Sequence, residues 1–373
     1  MRERLVPWLW CPECHGEFSL EGLVGDPRET DAWREALLHC GGCGRLYPVI
    51  GGIPRLLPDA LAHMVWRYHR DFFERYAQRC ASYQARCRPP RDRWWQAEAR
   101  TIASYSYQWR KFKQMFPEWE AVCRDSIRPL TPDFFRGRRG VDAGCGFGRS
   151  LYYAASWGAE VIGVDLSEAV EAAYENTAHL AGAHIVQGDI FHLPVREGTM
   201  DFAYSIGVVH HLPDPGAGVR CISRLAKPGG AIFVWVYARG RGRQIPVLNA
   251  VRAVSTRLPL RWLDRLCWVG AALQWLVWIV PYRLLSRWRF LRGVTRHLPF
   301  THYARYPFRV LHTDWVDGFS VPLQQYHRPD EVAAWFHAAG LRDVRIDSDW
   351  GGRALGYQPE AAPAEAPIEV PRS

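Results

Sequence analysis

The chain has 373 residues, 48% of them hydrophobic, which excludes a disordered or fibrous protein and allows one large domain with attachments or two domains. A formal net charge of +9 suits nucleic acid, anionic lipid or plain solubility and chooses none of them, while 18 tryptophans point to heavy aromatic packing or to flat walls around an apolar or planar substrate. The opening MRERLVPWLW contains Pro7 and runs into cysteines without a cleavage-like site, so it does not read as a secretion signal.

Ten cysteines, four of them in two Cys-x-x-Cys pairs, read as a reduced, cytoplasmic protein holding a metal rather than a disulfide scaffold. Cys11 and Cys14, then Cys40 and Cys43, are spaced as two knuckles of a structural zinc ribbon, four thiolates closing a tetrahedron with no open position for chemistry. Cys11 to His15 also fits the haem-attachment pattern, but the second knuckle and the lack of an export signal exclude it. With the following Arg45-Leu46-Tyr47-Pro48-Val49-Ile50-Gly51-Gly52-Ile53-Pro54, residues 1–60 resemble the small zinc-ribbon family that activates tRNA and protein methyltransferases. In that family the ribbon is a separate chain; here the resemblance implies a fused ribbon that packs on a catalytic domain.

Residues 61–130 predict a helical cap or linker: Trp66, Phe72, Phe73 and Tyr76 recur at helical spacing, and Pro89-Pro90 breaks the run. Ser104-Tyr105-Ser106-Tyr107-Gln108-Trp109 lies just before the core.

From residue 131 strands and helices alternate: Gly140 to Ala143, Glu160 to Asp165, His184 to Gln187, Phe202 to Ile206 and Ala231 to Tyr237 read as strands. This pattern requires right-handed crossovers, a mainly parallel sheet and ligands at the carboxyl ends of the strands. The first strand enters the turn Val141-Asp142-Ala143-Gly144-Cys145-Gly146-Phe147-Gly148, whose alternate glycines let the backbone touch a ligand. The second ends in Asp165, an acid placed to accept hydrogen bonds from a ribose diol, so the ligand reads as a nucleoside. The glycine spacing departs from the dinucleotide fingerprint.

With Asp142-x-Gly144-x-Gly146-x-Gly148, Asp165, Gly188-Asp189-Ile190, the Asp201 to Val209 strand and Lys227-Pro228-Gly229-Gly230 in order, the chain resembles the class I S-adenosylmethionine-dependent methyltransferases. The resemblance implies an α/β, Rossmann-like, seven-stranded, mostly parallel sheet over residues 131–358, with the ribbon in front and a helical insertion before the last strands. It implies S-adenosyl-L-methionine as cofactor, held by Asp142, Gly144, Gly146, Gly148, Asp165, Leu166, Asp189, Ile190 and Ser205. Tyr107 and Trp109 would cover the sulfonium with aromatic faces, or serve only helix packing.

Residues 239–325 are too long for a plain connection. Leu266 to Val280, with Trp268, Trp275 and Trp278, is an apolar run of about 22 Å, short of the roughly 30 Å hydrocarbon core, so it should not cross a membrane. Arginines flank it at 257, 261, 265, 283, 287, 289, 292 and 296, and Asp264 is the only acid from Arg239 to Arg309. The insertion therefore reads either as a helical lid over the substrate or as a peripheral contact, through residues 257–296, with anionic lipid at the inner membrane surface. Asp330 to Ala339 predicts a helix, Leu341 to Ser348 a strand and Arg353 to Gln358 its antiparallel return; the Pro-, Ala- and Glu-rich residues 359–373 read as disordered.

Methyl transfer asks the protein mainly for position and a dry pocket, and a base only for a hydroxyl or acidic carbon. His210 and His211, in the turn that closes the fourth strand, are candidate bases, as is His327; a purely local structural role of that turn is the alternative. Ser205-Ile206-Gly207-Val208 lacks the Asn/Asp-Pro-Pro-aromatic turn of enzymes that methylate base amino groups. A small-molecule acceptor, aromatic, lipid-like or sugar-linked, is the first expectation, an RNA acceptor the second, and a non-catalytic cofactor-binding scaffold the third.

Overall fold

A computed structural model of the chain describes residues 1–27, 29–88, 93–238, 245–288, 295, 298–347 and 352–360. The Pro89-Pro90 break, Arg239, Arg289, Arg292, Arg296, Ser348 and the tail beyond Glu360 lie outside the described residues.

Four N-terminal strands, β1 (Phe18–Asp26), β2 (Glu29–Cys40), β3 (Leu46–Ile50) and β4 (Ile53–Leu56), form an antiparallel run. Between β3 and β4 stand only Gly51 and Gly52, at φ +63° and +83°. A two-residue hairpin needs positive φ at both central positions, which glycine adopts without steric cost. The hairpin aims β4 alongside the core, where Arg55 and Leu56 pair in parallel with Gln187 and Gly188.

The core strands are β5 (Arg139–Ala143), β6 (Glu160–Asp165), β7 (Ala183–Gly188), β8 (Met200–Ile206), β9 (Ala226–Val236), β10 (Arg342–Asp347) and β11 (Gly352–Tyr357). β5 to β9 pair in parallel, and β11 returns antiparallel between β9 and β10. The whole is one eleven-stranded sheet ordered β1-β2-β3-β4-β7-β6-β5-β8-β9-β11-β10. This corrects the expected seven-stranded sheet with a ribbon beside it: β7 would otherwise present a row of unpaired backbone groups, and β4 covers that edge.

The helices are α1 (Ala62–Tyr68), α2 (Arg70–Arg75), α3 (Ala81–Arg86), α4 (Arg93–Lys111), α5 (Trp119–Ser126), α6 (Pro132–Phe135), α7 (Arg149–Ser156), α8 (Ala169–Thr177), α9 (Pro215–Ser223), α10 (Ile245–Ser255), α11 (Leu260–Gln274), α12 (Val280–Leu285), α13 (Phe308–Ser320) and α14 (Pro329–Ala338). Asp214 caps α9, accepting from the Ala217 amide at 2.8 Å, and Pro215 fills its first position, where an N–H would have no partner. One wide π turn, Trp275–Ile279, joins α11 to α12 just before Pro281, whose ring cannot donate to the preceding turn.

Leu260–Leu285 is thus a single helical rod of 26 residues, long and apolar enough to cross a membrane. The rod spans about 39 Å at 1.5 Å per residue, so the expected length limit fails. The charged residues that end the apolar run in sequence do not end the helix. Two helices of the insertion pack on each other, α11 along α13, and α13 also meets α4.

Candidate functional site

At the carboxyl end of β5 the chain turns on three left-handed glycines, Gly144, Gly146 and Gly148, at φ +88°, +54° and +84°. A Cβ on Gly144 would sit 2.5 Å from the Val208 side chain, and one on Gly148 3.1 Å from the Ala173 backbone. The Gly144 and Cys145 amides both donate to the Val164 carbonyl, at 2.7 and 3.1 Å, folding the turn toward the end of β6.

There Asp165 holds the turn. Its Oδ2 accepts from the Gly146 amide at 2.9 Å, and its Oδ1 accepts from the amide and hydroxyl of Ser167 at 2.9 and 2.7 Å. A carboxylate oxygen has two lone pairs, so Oδ2 keeps one for a ligand hydroxyl. Burial raises the Asp165 pKa, with the Ser167 and Gly146 donors acting against it.

Asp142 lies beneath the turn, 1% exposed, and its Oδ2 has no hydrogen-bond partner. Burial pushes its pKa up to about 8, with the Asp165 charge adding to the rise and Arg149 opposing it. Ser205 donates its hydroxyl to the Ala143 carbonyl at 2.7 Å, tying β8 to β5. Asp189 accepts from the Phe191 amide at 3.2 Å and pairs with His192 at 2.7 Å; Ile190 is buried behind it, and the Leu166 carbonyl accepts from Gln187.

Helix α4 closes over this end of the sheet. The Trp109 indole nitrogen stands 3.4 Å from where a Cβ on Gly146 would be, and its ring packs on Phe147 at 4.9 Å. Tyr107 is not brought to the turn: its hydroxyl donates to Asp264 of α11 at 2.9 Å. Two residues along a helix are about 200° round, whereas four residues share a face. The residue on the Trp109 face is Tyr105, whose ring is stacked at 6.3 Å.

Tyr105 leads to the histidine turn. Its oxygen is 2.7 Å from Nε2 of His211, whose Nδ1 is 2.6 Å from the Leu323 carbonyl. A carbonyl can only accept, so Nδ1 carries the proton and Nε2 of the neutral ring accepts from the Tyr105 hydroxyl. Burial lowers the His211 pKa, while Asp317 of α13 and the Leu323 carbonyl pull it back up. Asp317 also accepts from Tyr237 at 3.2 Å, and its charge holds the Tyr237 pKa well up.

His210 differs from its neighbour. It is fully buried, stacked on Tyr237 at 4.1 Å, with neither ring nitrogen partnered and its pKa far down through burial. His327 turns to α14, with Nδ1 3.2 Å from Glu331 and its ring edge-on to Trp335. Tyr105 and Asp317 escaped the sequence reading. The four-residue spacing of Tyr105 and Trp109 was a usable signal; nothing local marks Asp317.

A family profile described as a methyltransferase domain matches residues 141–234, from the glycine strand through β9. The ubiquinone biosynthesis O-methyltransferase of Ralstonia nicotianae is 32% identical over 163 residues, 40% of this chain and 68% of that protein. The chain belongs to the S-adenosylmethionine-dependent methyltransferases.

The corresponding enzyme of Methylococcus capsulatus is 29% identical over 145 residues, 36% of this methyltransferase and 59% of the relative. The chloroplastic tocopherol O-methyltransferase of Arabidopsis thaliana is 37% identical over 101 residues, 25% of this chain and 28% of that one. The chain thus spans well under two thirds of these last two proteins.

In its N-terminal strands and their turns the methyltransferase gathers Cys11, Cys14, Cys40 and Cys43 so that their sulfurs all lie within 4.8 Å of one another. Sγ of Cys11 is 3.7 Å from that of Cys43, and Sγ of Cys14 is 3.4 Å from that of Cys40. Zinc–sulfur bonds of about 2.3 Å at tetrahedral angles require sulfurs about 3.8 Å apart, so the four thiols fit such an ion.

Proposed function

We propose that this methyltransferase places a methyl group on a hydroxyl of a small, lipid-like or aromatic acceptor, with His211 receiving the proton through Tyr105. The observation that carries the reading is the hydrogen bond from Tyr105 to Nε2 of His211, whose tautomer is set by Leu323. S-adenosylmethionine supplies an electrophilic methyl; the turn at Gly144, Gly146 and Gly148, with Asp165, is the cradle for it. Trp109 above Gly146 and Val208 against Gly144 connect that cradle to the histidine turn.

Tyr105 stays a phenol, its pKa held well up by burial and by Asp317. As the acceptor hydroxyl gives its proton to the Tyr105 oxygen, the Tyr105 proton passes to Nε2 of His211. The resulting imidazolium keeps Nδ1–H on the Leu323 carbonyl, and the Asp317 carboxylate favours the added charge. Tyr107, bonded to Asp264, belongs to the support of the insertion rather than to the sulfonium.

The relatives named for ubiquinone and tocopherol support a small-molecule O-methyl acceptor. In this reading residues 1–60 form a zinc ribbon, 61–130 a cap and 131–358 the catalytic domain with its lid at 239–325. The zinc is structural, since all four thiols face one another and leave no ligand position for chemistry. The RNA alternative drew on the ribbon and the positive charge. The ribbon's last strand is part of the catalytic sheet, and its Arg55 is buried rather than offered to phosphate. Incubating the protein with isotope-labelled S-adenosylmethionine and cell extract, then identifying the labelled product by mass spectrometry, tests the proposal; label in RNA, or in no product, would sink it.

A further inference from the structure

The Leu260–Leu285 rod is apolar on two opposite sides. One side is fastened to the body: Leu263, Asp264, Cys267, Ala271 and Ile279 are buried. Asp264 pairs with Lys111 of α4, Gln274 accepts from the Trp315 indole at 2.7 Å, and a Cβ on Gly270 would sit 2.2 Å from the Trp315 ring. The other side is bare. Trp262, Leu266, Val269, Leu273, Leu276 and Leu284 are 50% to 61% exposed and recur at helical spacing along one stripe. Trp268, itself 52% exposed, and Trp275, half-buried, lie off this stripe and pack edge-on against Phe308.

Cations border the bare stripe. Arg257, Arg261, Arg265 and Arg287 are exposed, and the one acid of the segment, Asp264, points inward. On α10, Val247, Val251 and Val254 add 64%, 44% and 66% exposed apolar positions. That helix is anchored to the same α13 through Arg252 on the Gly318 carbonyl, 2.7 Å, and Ser255 on the Phe319 carbonyl, 2.7 Å.

We propose that this face docks on a lipid bilayer bearing anionic headgroups, with the rod lying in the plane of the surface. An apolar stripe fringed by arginines and free of outward carboxylates matches acyl chains beneath phosphate groups. A second copy of the chain would bring arginines against arginines with no acid on the segment to answer them. Length alone permits a crossing helix, but the fastened side runs from Leu263 to Ile279. A crossing rod would pull α4 and α13, and with them the catalytic sheet, into hydrocarbon. The docked rod packs along α13, which carries Asp317 to Tyr237. The docking proposal does not depend on O-methylation, since it rests on the outer face alone.

Flotation of the full chain with phosphatidylcholine vesicles, with and without phosphatidylglycerol, tests it. The protein should float only with phosphatidylglycerol at low salt and be released at high salt. Leu273→Glu with Leu276→Glu should reduce bound protein by at least about tenfold, since both side chains lie on the lipid face. Arg257→Gln with Arg261→Gln, which leaves the apolar stripe intact, should remove the phosphatidylglycerol preference. Unchanged S-adenosylmethionine affinity in both variants shows that they fold. No flotation at low salt would overturn docking, as would flotation that ignores both variants. Retention through an alkaline carbonate wash would show a crossing helix and overturn the in-plane reading. A dimer that Leu273→Glu with Leu276→Glu converts to monomer, without vesicle binding by the parent, would assign the face to a second copy and overturn it too.

Discussion

The guanidinium of Arg55, wholly buried on β4, lies 3.6 Å from the carboxylate of Glu168, three residues beyond Asp165. Arg55 also bonds Gln187 at 3.1 Å and pairs with Glu171, while the Glu168 amide donates to the Ser106 hydroxyl of α4 at 3.1 Å. Strand β4, the segment that follows Asp165 and helix α4 thus meet on one buried network. Burial works to raise the Glu168 pKa, but His69 and Arg55 outweigh it and hold the group below its ordinary value. Arg55→Met leaves that carboxylate buried without its main counter-ion, and should cost about 3–5 kcal/mol. Denaturant unfolding followed by circular dichroism measures the loss; an unchanged midpoint would remove Arg55 from the joint.

Asp165→Ala should weaken S-adenosylmethionine binding by about 1.5–3 kcal/mol, the scale of hydrogen bonds to a charged group. Because Asp165 also fixes the Gly146 amide and Ser167, part of this loss is a loosened turn. Ser167→Ala keeps the carboxylate and removes the 2.7 Å hydroxyl bond to Asp165 together with the 3.2 Å bond from the Ala169 amide, and is the control for a loosened turn. Calorimetric titration of the three proteins separates the effects, and equal affinities would take Asp165 out of the site.

Protein purified without chelator should contain about one zinc per chain, bound by the four thiolates. Cys40→Ser should lose the metal and unfold the N-terminal strands, since binding there is folding free energy. The damage should reach the catalytic sheet, because β2 holds β3 and β3 holds β4 against β7. Elemental analysis with the thermal melt of the variant checks both parts; a zinc-free parent with an intact ribbon contradicts them.

What sequence could and could not reveal divides along the range of the interactions. The glycine turn was legible because three positive φ values are a demand on the local backbone that only glycine meets cheaply. The alternating strands were legible because β5, β6 and β7 are buried on both faces and so centre on short runs of small and β-branched residues. The eleven-stranded sheet was not, since β4 is four residues of ribbon-like sequence and its parallel partner lies 132 positions away, Arg55 against Gln187. Tyr107 was chosen over Tyr105 by reading residue types without helical phase. Residue type alone points to Trp268, Trp275 and Trp278, whereas helical phase makes Trp262, Leu266, Leu273 and Leu276 the exposed stripe, with Trp268 itself 52% exposed at its side. Asp317 carries no local mark, because its meaning comes from Tyr237, 80 positions earlier.

The proton path through Tyr105 and His211 has a signature that a merely structural role would not share. The groups facing His211 include Tyr105 of α4, Asp317 of α13, Arg252 of α10, the edge-on ring of Tyr237 and the neighbouring ring of His210. Burial dominates these and places the folded pKa of His211 below the ordinary 6.5 of imidazole. Activity that needs neutral His211 should therefore be full at neutral pH and fall only as the pH drops through that lowered value, giving an acid limb in kcat/KM below about 6.5. Stability should follow the same sign, because the unfolded chain takes up protons on His210 and His211 that the folded chain resists, so acid favours unfolding. Replacing the base removes a proton transfer that contributes typically about 10²–10⁴-fold, so His211→Asn should lower kcat by that order while leaving S-adenosylmethionine affinity nearly intact. Tyr105→Phe keeps the stacking on Trp109 and deletes only the hydroxyl, and should lower kcat with little change in the thermal melt. Measured kcat/KM from pH 5 to 9, once an acceptor is in hand, decides between the readings. An acid limb that persists in His211→Asn would assign it to another group, and a variant as active as the parent would leave the histidine turn a structural element.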